Sequence, residues 1–314
     1  MTISESKSAK LSPGKPPLWK LILLNPYLVV SFAMLCWATT TVLVRYLRDD
    51  ASPMGLSFWR LVFAFFILLP FSYSRICSQS SLILRHWKTL AMLSLLLWFG
   101  GNALLFLSLQ FTIAINAAVI NSVEPIIIII LACLLFRDEF TRRQALGAFL
   151  SLGGVLVLIT AGSMERLLGL DFNLGDIIVF CAYISWGLYA VLIRKLPREL
   201  DSLVVVTMLL GIGIPILLVP YLLESFYFRP LNFNWLTIGT IIYLGLFSGA
   251  FSIIAWNYGI KTLGPIRASQ FLHLIPAFTI LLATLLLDET LLPYHFAGIA
   301  LIVLGIYLAS RLNK

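Results

Sequence analysis

Trp37-Ala38-Thr39-Thr40-Thr41-Val42-Leu43-Val44-Arg45 returns 149 positions later as Trp186-Gly187-Leu188-Tyr189-Ala190-Val191-Leu192-Ile193-Arg194. A second echo runs at nearly the same offset. Pro125, Gly147 and Gly154 recur as Pro276, Gly298 and Gly305, with spacings of 22 and then 7 in both copies. The chain therefore reads as one unit written twice. Each unit divides into five apolar stretches. An odd number of membrane crossings per unit makes the second copy enter from the opposite side, which is an inverted-topology repeat.

Composition supports the membrane reading. The 314 residues are 60% hydrophobic and 11% charged, with a mean hydropathy of +0.98. A soluble domain carries about 25% charged residues. The net charge of +8 is spread along the chain, not gathered on one module, so a nucleic-acid partner is not indicated. Cys36, Cys77, Cys133 and Cys181 show no CxxC spacing, and neither a disulfide framework nor a metal site is expected. No cofactor is expected either.

A helical span needs about 20 mostly apolar residues. Such runs lie near 24–45, 56–74, 88–109, 112–136, 144–162, 175–194, 202–223, 235–259, 265–287 and 294–311. The expected fold is thus all-α, with ten transmembrane helices in two inverted five-helix repeats. Residues 1–20 read as a disordered basic arm, 21–162 as the first repeat, 163–174 as a connector and 175–314 as the second repeat. The run after the arm is too long for a signal-peptide core. With the N-terminus inside, 17 Lys and Arg fall on the inner side, against Arg45, Arg48, Arg60, Arg166 and Arg229 outside. The bias predicts cytoplasmic termini.

Leu107-Ser108-Leu109-Gln110-Phe111-Thr112, Ala117-Ala118, Glu124-Pro125, Asp138-Glu139, Gly147 and Gly153-Gly154 together resemble the repeat unit of the drug/metabolite transporter superfamily, EamA type. Tyr258 to Gly264, Ala268, Pro276, Asp288-Glu289, Gly298 and Gly305 resemble the same unit again. The resemblance covers nearly the whole chain after the arm. It implies a ten-helix carrier that exports small metabolites, often amino acids, through a central cavity between the halves. It also implies a multi-pass protein of the cell membrane, with a bacterial inner membrane as the expected location.

Several residues could line such a cavity. Glu124 is the one acid deep in a span, where a charge costs about 2.5–3.5 kcal/mol on the insertion scale. It must face water, carry a proton or hydrogen-bond a neighbouring helix. Asn121 shares its helix face. Gln270 and His273 share a face of the ninth helix, where His273 could titrate or could simply bond a partner helix. Pro125 and Pro276 each remove a backbone N–H and release the carbonyl four residues back. They read as paired hinges or as static kinks. Trp37 and Trp186 lie too deep for the interfacial belt and could form an aromatic wall with Tyr183, or could be packing residues. Asn102 beside Trp98, and Trp256 with Tyr258, are further cavity candidates. Gly245 and Gly249, like Gly147, Ser151 and Gly154, suit close helix packing. Asp138 and Glu139 suit capping or pairing with Arg142 and Arg143.

The expected partners are a small-molecule solute, the bilayer and, as a coupling ion, the proton. A channel-like uniporter or a flippase for lipids or precursors is the alternative. No HExxH, GxSxG or GxxxxGK[ST] occurs, so neither an intramembrane enzyme nor an ATP-driven pump is expected.

Overall fold

Backbone amides in hydrocarbon have no water to bond, so apolar segments of this length close their hydrogen bonds internally as helices. The computed structural model describes residues 25–46, 52–108, 111–112, 114–171, 173–228, 230–287 and 290–310, and these contain helices and no strand. The basic arm, Asp288 and Glu289 lie outside the described residues.

Ten long helices follow in order, with short helices at Ser80–Arg85 and Met164–Leu168 in the connectors. The long ones are α1 (Pro26–Tyr46), α2 (Pro53–Ser78), α3 (Trp87–Ser94, Leu95–Ala103 and Leu104–Ser108), α4 (Ala114–Asn121 and Glu124–Phe136) and α5 (Arg142–Ile159). The second half repeats them as α6 (Leu174–Leu192), α7 (Ser202–Tyr227), α8 (Trp235–Tyr243, Leu244–Phe251 and Ser252–Leu263), α9 (Pro265–Gln270, Phe271–His273 and Leu274–Leu287) and α10 (Pro293–Ser310). Nine are long and apolar enough, among the described residues, to cross a membrane. The tenth, α3, joins segments of 8, 9 and 5 residues. At 1.5 Å per residue it rises about 33 Å, which spans a hydrocarbon core of ~30 Å. Phe66, Leu134, Phe149, Leu285 and Phe296 project outward uncovered, as lipid contact permits.

Local sequence sets the helix ends. Proline opens α1, α2 and α10, where a missing N–H is no loss. Thr141 with Gln144 and Asn173 with Asp176 form capping boxes at α5 and α6. Glu224 of α7 reaches across to accept from the Ser52 hydroxyl at 2.5 Å and the Met54 amide at 2.8 Å, which closes the start of α2.

Two irregularities recur at matched positions of the repeats. Both α3 and α8 carry a π-helical stretch. In each, a side chain bonds the carbonyl five residues back: Asn102 Nδ2 to Leu97 O at 2.7 Å, and Ser252 Oγ to Phe247 O at 2.5 Å. Both α4 and α9 are broken near mid-span, at Ser122–Val123 and at Phe271–His273.

The paired glycines meet each other. A Cβ on Gly147 would stand 2.5 Å from Gly305 O, and one on Gly154 would stand 2.6 Å from Gly298 O. The repeat relates Gly147 to Gly298 and Gly154 to Gly305, so the contact between α5 and α10 is self-complementary, as across a two-fold axis. The GxxxG of Gly245 and Gly249 serves a different approach. It lets α8 lie against the backbone of α2, with Arg60 O 2.9 Å from where a Gly245 Cβ would be.

Candidate functional site

The two helix breaks face one another. Pro125 removes the amide that would bond the carbonyl of Asn121 in a regular helix, and Pro276 does the same for Leu272, whose carbonyl is taken instead by an amide at the end of the 3-10 turn. Asn121 and Leu272 are related by the repeat, as are Ser122 and His273. All four line a cavity of about 280 Å³, with Thr41, Thr279 and Pro276 among its other walls. Val155, Leu158 and Ile159 bring α5 into the lining as well. A second recess of about 300 Å³ between α4 and α5 is wholly apolar, so it offers no group to orient a polar solute.

His273 ties the breaks together. Its Nε2 lies 2.9 Å from Ser122 O and its Nδ1 lies 2.7 Å from Ser151 Oγ. A carbonyl only accepts, so Nε2 bears the hydrogen and Nδ1 accepts from the Ser151 hydroxyl. The ring is buried with both nitrogens engaged. His273→Ala is expected to lower stability by about 1–3 kcal/mol, because Ser122 O loses its donor in a buried setting. Thermal unfolding of the purified variant measures this, and an unchanged midpoint would show that the tie carries no weight.

The other expected lining residues form separate groups. Trp37 packs 5.7 Å from Trp186 and 5.7 Å from Trp256, centroid to centroid, which joins α1, α6 and α8. Trp186 also fills the space left by Gly101 of α3. Tyr189 OH donates to Asn257 Oδ1 at 2.8 Å. Trp256 Nε1, Asn257 Nδ2 and both amide atoms of Gln270 meet no partner among the described residues. Glu124 opens the second half of α4 and is 6% exposed. It lies within electrostatic reach of buried Tyr183, and no side chain among the described residues hydrogen-bonds it. Tyr258 is half-buried. Trp98 is held by packing: its Nε1 donates to Leu209 O at 3.0 Å. Trp37, Glu124, Trp186 and Gln270 are thus not among the walls of the cavity that Asn121, His273 and Pro276 line.

Asn102 leads to a residue that sequence reasoning misplaced. Arg60 does not lie at the outer surface; it is buried inside α2, 8% exposed. Its Nη2 donates to Asn102 Oδ1 at 2.5 Å and its Nη1 to Ser248 Oγ at 3.4 Å. The available signal was its place seven residues inside the Pro53 helix start. Asp138 likewise differs from expectation. It pairs with Arg194, at 2.8 Å, and not with Arg142 or Arg143. Arg194 closes the second copy of the opening motif, so the ion pair links the ends of α4 and α6.

Ten helices in two inverted halves, with broken helices meeting at a partly polar cavity between them, define a multi-pass membrane transporter. Comparison with known proteins agrees. The EamA-like transporter family matches residues 24–160 and 173–311, and the chain belongs to that family. The uncharacterized transporter YyaM of Bacillus subtilis is 29% identical over 290 residues, covering 91% of this chain and 94% of its own. The uncharacterized inner membrane transporter YedA of Escherichia coli is 23% identical, covering 91% of each. A crystal structure 18% identical in sequence shares the fold, with a TM-score of 0.76 over 91% of this chain and 96% of that one.

Proposed function

We propose that the chain is a secondary carrier that exports small metabolites, amino acids or related compounds, by alternating access between its two repeats. The observation that carries this reading is the meeting of two repeat-related helix breaks at one cavity of mixed polar and apolar lining. Rocking one half against the other would strain these points least, because the helical ladder is already interrupted there. Asn121 and Ser122, at the break of α4, would offer polar groups to a solute. Val155, Leu158, Ile159 and Ile280 would pack against its apolar part. Glu124 would supply the exchangeable proton.

Purified protein in sealed vesicles tests the reading, with a radiolabelled mixture of the twenty amino acids as the probe. An excess of unlabelled mixture inside the vesicles should drive transient uphill uptake of label. A carrier shows this counterflow and an open pore does not. Uptake no greater than in protein-free vesicles would overturn the proposal, and uptake without counterflow would point to a uniporting pore.

The orientation proposed from the charge bias places both termini in the cytoplasm and the 163–174 connector outside. Setting Arg60 aside as an intramembrane residue leaves the bias intact. In a background with the four native cysteines replaced, Ser163→Cys should react with a membrane-impermeant thiol reagent on intact cells. Reaction only after permeabilisation would invert the topology.

A further inference from the structure

Arg60 is the one described Lys or Arg in the interior of a span, because the others sit near helix ends or in connectors. It is 8% exposed, and its Nε meets no partner among the described residues. Its two contacts are to the neutral groups of Asn102 and Ser248. No described carboxylate forms an ion pair with it, the buried Glu124 included. Asp138 bonds Arg194, Asp201 bonds Arg75, Glu224 closes the start of α2, and Asp176 accepts from Thr112 and Asn116. A buried guanidinium without a counter-charge is costly in a membrane, and such residues characteristically mark solute pathways.

The surroundings are built from both repeats. α2 and α3 belong to the first and α8 to the second. Asn102 is fixed by its bond to Leu97 O, at 2.7 Å, inside the π-helical stretch of α3. Ser248 sits in the matching stretch of α8. Gly245 brings the two backbones together so that Ser248 reaches the guanidinium at all. π-Helical insertions are common at functional sites, and moving one along a helix rotates the residues it passes. Asn102 and Ser248 can therefore turn toward or away from Arg60 without loss of either span.

We infer that Arg60, flanked by Asn102 and Ser248, is the binding site for a carboxylate of the transported solute. The free Nε–H and a neighbouring Nη–H present two parallel donors at the spacing of a carboxylate's oxygens. Asn102 Nδ2 and Ser248 Oγ can add neutral donors. One cation with neutral neighbours balances one negative charge, which selects a carboxylate over a phosphate dianion. The transport consequence rests on the carrier reading, whereas the binding consequence rests on the Arg60 geometry alone.

The probes are L-phenylalanine, L-leucine and 3-phenylpropionate, each beside its amide. Binding is read as a shift in the thermal unfolding of the full chain in detergent, and transport as counterflow in vesicles. The acids should raise the unfolding temperature and the amides should not. Arg60→Gln should weaken acid binding roughly ten- to a hundredfold, the scale of a charge-assisted hydrogen bond. Arg60→Lys should keep part of it, as a point charge without the fork. If Arg60→Gln does not fold, Asn102→Asp provides the second test. It sets a resident carboxylate on the guanidinium, so the acids should no longer bind. Equal binding of acids and amides, no binding of any acid, or acid binding unchanged in Arg60→Gln or Asn102→Asp would each overturn the inference. Arg60-dependent acid binding with no solute movement would sink the carrier reading and leave the anion site standing. Counterflow that treats acids and amides alike would do the reverse.

Discussion

Gly154→Leu is expected to prevent α5 and α10 from assembling, and Gly147→Leu should do the same. Even a single Cβ at Gly154 would stand 2.6 Å from Gly298 O and 2.9 Å from the Ile302 amide nitrogen. Both neighbours are backbone, so no side-chain rotation relieves the clash, and the helices must separate along their length. The loss should lie at or beyond the upper end of the ~1–3 kcal/mol typical of overpacking. Loss of the monodisperse species in size-exclusion chromatography, or a large fall in unfolding temperature, measures it. Gly153→Ala is the control one residue away. A Cβ there meets nothing within 4 Å, and alanine is the better helix former. If Gly154→Leu proved as stable as Gly153→Ala, the seam would not hold the halves together.

If the proposed carrier is proton-coupled through Glu124, Glu124→Gln is expected to abolish proton-driven export while leaving a folded protein. The carboxyl is buried, with no side-chain hydrogen-bond partner among the described residues. Glutamine keeps its shape and fixes the neutral state. If the group couples protons, an imposed pH gradient should no longer drive uphill movement, and the pH dependence of transport should flatten. Solute exchange should survive. Failure of exchange as well would assign Glu124 to a cationic group on the solute. Wild-type rates and pH profile would leave it a structural acid.

Much of this architecture was legible because membrane helices advertise themselves. Spans placed at 202–223 and 265–287 from hydropathy alone correspond to Ser202–Tyr227 and Pro265–Leu287. The paired glycines were visible as a spacing, and the contact they make follows from the inverted symmetry. Arg60 was hidden by a reasonable rule. A long cationic side chain near a helix end normally reaches back to the interface. Here its partners come from α3 and α8, distant in sequence, and they hold it inward. The π-helical stretches were also invisible, since nothing in Leu95–Ala103 breaks helical periodicity. The one local hint is a polar side chain five residues after the carbonyl it bonds. Asp138 found Arg194 over nearer arginines because the ends of α4 and α6 converge. That is a tertiary fact with no counterpart in sequence distance.

In the proposed carrier, the glycine seam would set the mechanics. Side-chain contacts can yield by changing rotamer, but a backbone-to-backbone contact has no such compliance. Sliding α5 along α10 by one residue would drive Ile302 or Ala309 into the space that Gly154 and Gly147 leave empty. The pair therefore behaves as a fixed axle. In the proposed carrier, motion would be left to the elements whose ladders are already interrupted, α3, α4, α8 and α9, turning about that axle like two leaves on one pin. Because the pin is built from the same residues read in both directions, neither leaf is the frame and neither the door.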